Sequence, residues 1–293
     1  MHFTGRTWRP PYEASSCIIQ ATTGCTYGRC RFCNLYQDES FRLSPIEEFE
    51  ADLAEIQQYQ PNARRIFWTG ANPFAMSYEN LKLRALTVRD YLIKCQHIAM
   101  FASIRDIKNK EVWQLQKLRA MGINGLTIGT ESGDDTTLAL ANKGYTAQDI
   151  LEQCRKLDQA SIEYYLVYMT GLAGAGNGYR NAINSARLFS QLNPYFISID
   201  SLTLFPDTEL AHMTQQKQFV PADEKERLQE LQIFIQHLQI RAHLLANTKS
   251  NFFPFTAYLP RDREKVISQL QWVIDNISEA EMQAYRQGLK SLE

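Results

Sequence analysis

No apolar run in the sequence reaches the roughly 18–20 residues that a bilayer-spanning helix needs. The opening Met1-His2-Phe3-Thr4-Gly5-Arg6 has none of the apolar stretch of a secretory signal. Both absences lead us to expect a cytoplasmic protein with no membrane partner, in a compartment that keeps thiols reduced. An excess of one charge is also missing. The 31 Lys and Arg against 32 Asp and Glu leave a net charge of −1, so there is no long-range basic field to grip nucleic acid. The five histidines form no His-Glu-x-x-His pattern, and neither a Walker lysine nor a serine nucleophile elbow occurs. The glycine-rich Gly171-Leu172-Ala173-Gly174-Ala175-Gly176-Asn177-Gly178 fails the dinucleotide fingerprint, because Tyr179 stands where the last glycine belongs. We expect it to be a flexible loop over a strand.

What remains is an ordinary globular composition: 44% apolar and 22% charged over 293 residues, enough for one large domain or two smaller ones. Six short β-rich apolar runs recur, at 17–20, 66–69, 98–101, 126–128, 165–169 and 196–199. Their continuous apolar character suits parallel strands covered on both faces. Helical periodicity fills the gaps. Ile46, Phe49, Leu53 and Ile56 share one stripe, with Ser44-Pro45-Ile46-Glu47 expected to cap it. Val112, Leu115 and Leu118 mark a helix closed by Gly122, and Thr146 with Asp149 is placed to cap another.

Six strand–helix units within about 190 residues fall short of the roughly 250 of a closed eight-unit barrel. The expected fold is therefore α/β, a partial (β/α)6 TIM-type barrel with a helical C-terminal extension. An open doubly wound sheet is the alternative, and both put the site at the carboxyl ends of the strands. The boundaries read as an N-terminal segment 1–14, a core 15–210 and an extension 211–293. In the extension we expect one long helix from Pro221 to Ala246, an irregular stretch from Ser250 to Pro260, and helix again over 262–290.

Of six cysteines, three crowd into the loop after the first strand, as Cys25-x4-Cys30-x2-Cys33. In a long chain with reduced thiols this pattern points to a metal site rather than a disulfide framework. Three thiolates can hold three corners of an iron–sulfur cube and leave one iron open for chemistry. Two other readings use the same residues. A structural zinc would need a fourth ligand such as Cys17 or His2, and a two-iron cluster would need a distant fourth cysteine. Either would make the chain a binding or electron-transfer protein. Cys17, Cys95 and Cys154 read as buried small hydrophobes, the last two on or near helices.

The triad after the first strand, with Phe32 just before its last cysteine, resembles the radical S-adenosylmethionine (SAM) superfamily, although the commoner spacing there is one residue shorter. Gly70-Ala71-Asn72-Pro73 after the second strand is similar to that family's Gly-Gly-Glu-Pro segment. Gly129-Thr130-Glu131-Ser132-Gly133, followed by Asn142-Lys143-Gly144, resembles the elongator and methylthiotransferase type. Leu204 to Leu210 resembles a turn after the sixth strand. Arg9-Pro10-Pro11-Tyr12-Glu13-Ala14 and Leu259-Pro260-Arg261-Asp262 extend the likeness, to one subgroup, over nearly the whole chain.

The resemblance implies one [4Fe-4S] cluster held by Cys25, Cys30 and Cys33. It also implies reductive cleavage of SAM to a 5′-deoxyadenosyl radical that takes a hydrogen atom from substrate, and an electron donor such as flavodoxin or ferredoxin. Residue roles follow from the same likeness. Phe32 would lie against the adenine, and the backbone of Gly70, Ala71 and Asn72 would face the SAM ammonium. Arg105 or Lys143 would pair with its carboxylate, and Glu131 would bind the ribose hydroxyls. Asn72 stands where the family often has an acid. The RNA-binding and acyl-transfer modules of the elongator type are missing, so a small-molecule substrate is expected and nucleic acid is not. Tyr36, Thr170 and Asp200 lie near strand ends as candidate pocket residues. No substrate, and no residue that acts on one, is legible.

Overall fold

The computed structural model describes residues 1–289. In chain order its elements are β1 (Cys17–Gln20), β2 (Thr22–Thr23), β3 (Arg42–Leu43), α1 (Ile46–Tyr59), β4 (Arg65–Thr69), α2 (Tyr78–Tyr91), β5 (His97–Ala102), α3 (Ile104–Lys108), α4 (Val112–Ala120) and β6 (Ile123–Glu131). Then come α5 (Asp135–Leu140), α6 (Ala147–Gln159), β7 (Tyr164–Thr170), α7 (Gly178–Phe189), β8 (Phe196–Ser201), α8 (Glu209–Gln215) and α9 (Glu224–His237). The chain continues through β9 (His243–Ala246), β10 (Phe255–Tyr258), α10 (Arg263–Asn276) and α11 (Glu279–Gln287). All six expected strands are present, as β1, β4, β5, β6, β7 and β8.

The chain divides into two compact units. One comprises residues 1–28, 35–129 and 152–164, and the other 29–34, 130–151 and 165–289 of the described residues. In the first unit the strands run β1-β4-β5-β6, all parallel, with Cys17 opposite Ile66 and Ile66 opposite Ile98. Their apolar runs are buried on both sides, as parallel strands require. Trp68 meets Phe49 of α1 edge-on at 5.6 Å, and Phe67 meets Phe101 at 5.3 Å. The expected cap of α1 is absent. Pro45 is the N-cap and makes no side-chain bond, because the Ser44 hydroxyl donates instead to the Gln20 carbonyl, 2.8 Å away. That serine ties α1 to the end of β1.

The second unit carries β7-β8-β9 in parallel and β10 antiparallel on β9. The long helix expected over 221–246 is two elements. Helix α9 stops at His237, Leu238 turns extended, and β9 pairs in register with β8, Phe196 opposite His243. No Gly or Pro separates them. The helical stripe ends at the buried Leu238, while Leu244 and Ala246 are buried at the spacing of two that a strand demands. Pairing with the open edge of β8 overrides helix propensity here. His243 is thus a strand residue, and the stretch expected to be irregular contains β10. The extension is therefore not purely helical, although α10 and α11 lie where helix was expected. The remainder of that span, from residue 290, lies outside the described residues. Cys154 is on α6 and fully buried, whereas Cys95 sits in the turn after α2.

Helix α9 is packed by a stack of Tyr168 on Phe234, with centroids 3.9 Å apart, and by Phe189 edge-on to Phe234. Helix α11 is fastened by Arg286. Its guanidinium grips the buried Glu224 with two bonds and also donates to the Leu202 carbonyl at 3.2 Å and the Ser250 carbonyl at 3.0 Å. An Arg286→Ala substitution strips a buried carboxylate of its main partner. It should cost about 3 kcal/mol in urea unfolding, and Arg286→Lys should recover little of that because a lysine lacks the two-pronged fork.

Candidate functional site

The cysteine loop begins where β1 ends, and each of its halves is held by a different set of residues. Gly24 has φ +63°, and a side chain there would collide with the Glu39 carbonyl at 2.6 Å, so only glycine lets the chain turn toward Cys25. In the first unit Thr26 is held from Asn72. The Asn72 Oδ1 accepts from the Thr26 amide at 3.2 Å, and its Nδ2 donates to the Thr26 hydroxyl at 2.6 Å. The same Nδ2 reaches the Asp106 carboxylate at 3.1 Å. The Arg105 guanidinium sits over the Tyr27 ring, its central carbon 3.3 Å from the ring centroid. Gly70, φ +131°, packs against the Thr22 backbone so closely that a Cβ would sit 2.6 Å from the Thr22 carbonyl oxygen. Ala71 is half-buried beside it. Asp106 is buried and its carboxyl is pushed upward by that burial, against the pull of the Ser103 amide and Asn72.

In the second unit the Cys30–Cys33 stretch is pinned by the two segments that the family likeness singled out. The Arg31 amide donates to the Ala141 carbonyl at 3.0 Å, and the Asn142 side chain donates to the Arg29 carbonyl at 2.8 Å. From the other side, the Leu210 amide donates to the Arg31 carbonyl at 2.8 Å. Arg31 pairs with Glu209 at 2.8 Å, and Asn34 donates to Asp207 at 2.9 Å. The Cys33 amide closes a turn onto the Cys30 carbonyl. Cys25, Cys30 and Cys33 form no disulfide, and each is half-buried. Among the described residues no three His, Cys, Asp or Glu side chains are gathered as a metal-holding group.

The second unit also brings together Phe32, Glu131 and Lys143, with Cys30 in electrostatic reach. Glu131, at the end of β6, has a strained φ of +63°. Its Oε1 accepts from the Lys143 ammonium at 3.2 Å, while its Oε2 is buried without a hydrogen-bond partner. Lys143 is only 7% exposed, which excludes a solvated surface charge. Burial pulls its pKa down, but Tyr145, Cys30 and Glu131 outweigh that and hold it well above the ordinary value. Its Nζ stands 5.5 Å from the Phe32 ring centroid. Phe32 packs its inner side on Ala141, Leu172, Leu202, Leu210 and Phe219 and keeps part of its surface open. Sequence reasoning missed Tyr145, two residues after Lys143, and Asp106. Spacing marks neither, and only burial beside a charge reveals them.

The remaining candidates are placed as follows. Asp200, next to last in β8, accepts from the Thr248 hydroxyl at 2.7 Å; burial pushes its carboxyl up to about 6, with the Glu131 charge adding to the shift. Thr170 and Tyr36 are buried. Cys17 stands at the opposite end of β1 from the loop and donates to Gln60, and His2 contacts Asp52 at 2.7 Å. The glycine-rich loop at 171–178 is pinned rather than flexible. The Gly171 amide donates to Glu230, the Ala175 amide to the Val220 carbonyl and the Gly176 amide to Glu226, so these amides are taken.

Residues 19–182 match the Radical SAM superfamily, and the chain belongs to that family. The heme chaperone HemW of Bacillus subtilis (strain 168) is 23% identical over 208 residues, which is 67% of this chain and 53% of that protein. The chain thus spans about half the length of the curated relative it matches. Among solved structures, Escherichia coli coproporphyrinogen III oxidase (HemN), a radical SAM enzyme, superposes with a TM-score of 0.57 at 15% identity, over 76% of this chain and 52% of that one. Methylornithine synthase (PylB) does so with 0.53 at 16% identity, over 92% and 85%. These likenesses establish the fold, an α/β fold of the partial-barrel class. No helix among the described residues is long and apolar enough to cross a membrane.

The buried Glu131–Lys143 pair gives a direct test. Lys143→Met should destabilise the unloaded protein by about 3 kcal/mol in chemical denaturation, because it strands a buried carboxylate. Adding Glu131→Gln should return most of that loss.

Proposed function

We propose that the protein is a radical SAM enzyme that holds one [4Fe-4S] cluster on Cys25, Cys30 and Cys33 and uses SAM to take a hydrogen atom from a small-molecule substrate. The observation that carries this reading is the loop itself. Three half-buried thiols lie within nine residues, and its backbone is pinned by the family's own segments. The donor set fits a cube, since such clusters take thiolates. The buried, unpartnered Oε2 of Glu131 fits a ligand hydroxyl that completes it. The cluster and SAM together supply one-electron cleavage of a carbon–sulfur bond; the protein contributes binding, orientation and exclusion of water.

Within that reading each side chain has a task. Glu131 accepts from the ribose hydroxyls with the oxygen that Lys143 leaves free. Lys143, kept charged by its neighbours, and Arg105 are the cations available to the SAM carboxylate. Phe32 offers the open side of its ring to the adenine. The backbone carbonyls of Gly70, Ala71 and Asn72 receive the ammonium, and Gly70 is needed there because a Cβ would collide with Thr22. A flavodoxin or ferredoxin would deliver the electron. The likeness to a heme chaperone supplies a second reading, in which the same fold carries heme without turning over a substrate.

The test is anaerobic reconstitution. About four irons and four sulfides per chain are expected, with release of 5′-deoxyadenosine when SAM and a reductant are added. Cys30→Ala should lose the cluster, and Glu131→Gln should raise the KM for SAM about tenfold while leaving iron content intact. One zinc per chain, or a two-iron spectrum indifferent to SAM, would reject the proposal. Tight hemin binding without nucleoside release would favour the chaperone reading.

A further inference from the structure

Asn72 occupies the position where an acid is expected to face the cofactor, yet its side chain is spent inside the protein. It is 4% exposed. The roles of its two amide atoms are forced by their neighbours. The Thr26 N–H can only donate, so it faces Oδ1; the Asp106 carboxylate accepts, so it faces Nδ2. The Thr26 hydroxyl completes a cyclic pair of bonds between one side chain and one loop residue. Asp106 is itself immobilised, because its Oδ2 accepts from the Ser103 amide at 2.7 Å in the capping box of α3. At the other end, the Ala75 amide closes a turn onto the Asn72 carbonyl at 2.9 Å. A loop residue that is exposed to solvent thus hangs from a side chain clamped on both flanks.

We propose that Asn72 is a positioning residue: oriented by Asp106, its amide locks Thr26, and with it the neighbouring Cys25 thiol, into the geometry in which the cysteine loop accepts its cluster. The metal part of this statement rests on the function proposed above. The lock itself is a property of the unloaded chain. An aspartate at position 72 cannot serve, because it has no N–H for Asp106 and would set two carboxylates about 3 Å apart. Exchanging the two residues restores the donor–acceptor pair in the opposite sense.

The experiment compares the full-length wild type, Asn72→Asp and the exchange Asn72→Asp/Asp106→Asn. Hydrogen–deuterium exchange of the unloaded proteins is followed over residues 21–33, with strand β6 as the control for an intact fold. The rate of iron loss to a chelator is measured on the reconstituted proteins. Asn72→Asp should speed both loop exchange and iron loss about tenfold, and the exchange variant should bring both back to within about twofold of wild type. Unchanged loop exchange in Asn72→Asp would overturn the proposal. So would failure of the exchange variant to recover while β6 stays protected. If Asn72→Asp unfolds the β6 control, Thr26→Val decides, since it removes only the hydroxyl. Loop exchange about threefold faster supports the lock, and an unchanged rate rejects it. Absence of iron from the wild type would strike the function reading alone, because the exchange arm needs no metal.

Discussion

The structure depends on how a nine-residue loop with three thiols is kept in one shape. Thiolates repel one another, and a loop this short has little regular hydrogen bonding of its own. Its shape must therefore be imposed from outside. The first half hangs from Asn72 and lies under Arg105; the second is fastened by the Ala141 carbonyl, Asn142, Asp207, Glu209 and Leu210. The segments that resemble family motifs thereby gain a physical meaning that does not need a cofactor. They close the backbone accounts of the cysteine loop.

The second unit accepts groups that are costly to bury. Glu131 has a disfavoured φ and an unsatisfied oxygen, and Lys143 is an ammonium almost without solvent. Neither helps folding on balance, since a buried pair rarely repays its desolvation. A buried oxygen without a partner, such as Glu131 Oε2, is found where a ligand completes it. Glu230, by contrast, is buried with donors from Tyr168, Gly171 and Asn181, and burial pushes its carboxyl up to about 7. Its needs are met from within, and it holds the glycine-rich loop through the Gly171 amide.

The six core strands were legible because each is a continuous apolar run bounded by turn residues, and parallel pairing demands that pattern. The cysteine loop stood out because its three thiols are spaced as metal ligands are, and Lys143 only because its segment resembles one of the family's. Ser44 was misread because a hydroxyl near a helix start has two possible acceptors, and only the fold shows that the Gln20 carbonyl lies nearer. The break between α9 and β9 was invisible because residues 239–242 contain no helix breaker, and the decisive partner, β8, lies some 40 residues earlier in the chain. Asp106 and Tyr145 were invisible for a similar reason. A lone acid or phenol has meaning only once its burial and its neighbours are known.

The neutral residue at position 72 follows from the residue at position 106. A buried carboxylate needs donors, and Asp106 has the Ser103 amide on one side and the Asn72 amide on the other. Lys110, a cation that acts on it, spends its ammonium on the Phe74 carbonyl at 2.8 Å and the Asp106 main-chain carbonyl at 3.1 Å, and burial drops its pKa to about 8. A second acid beside Asp106 would then face a repulsion that Lys110, its ammonium bonded to main-chain carbonyls, relieves only in part. An amide satisfies the carboxylate, the loop amide and the loop hydroxyl at once. Once α3 presents an aspartate here, asparagine is the side chain of this length that can both accept from Thr26 and donate to Asp106.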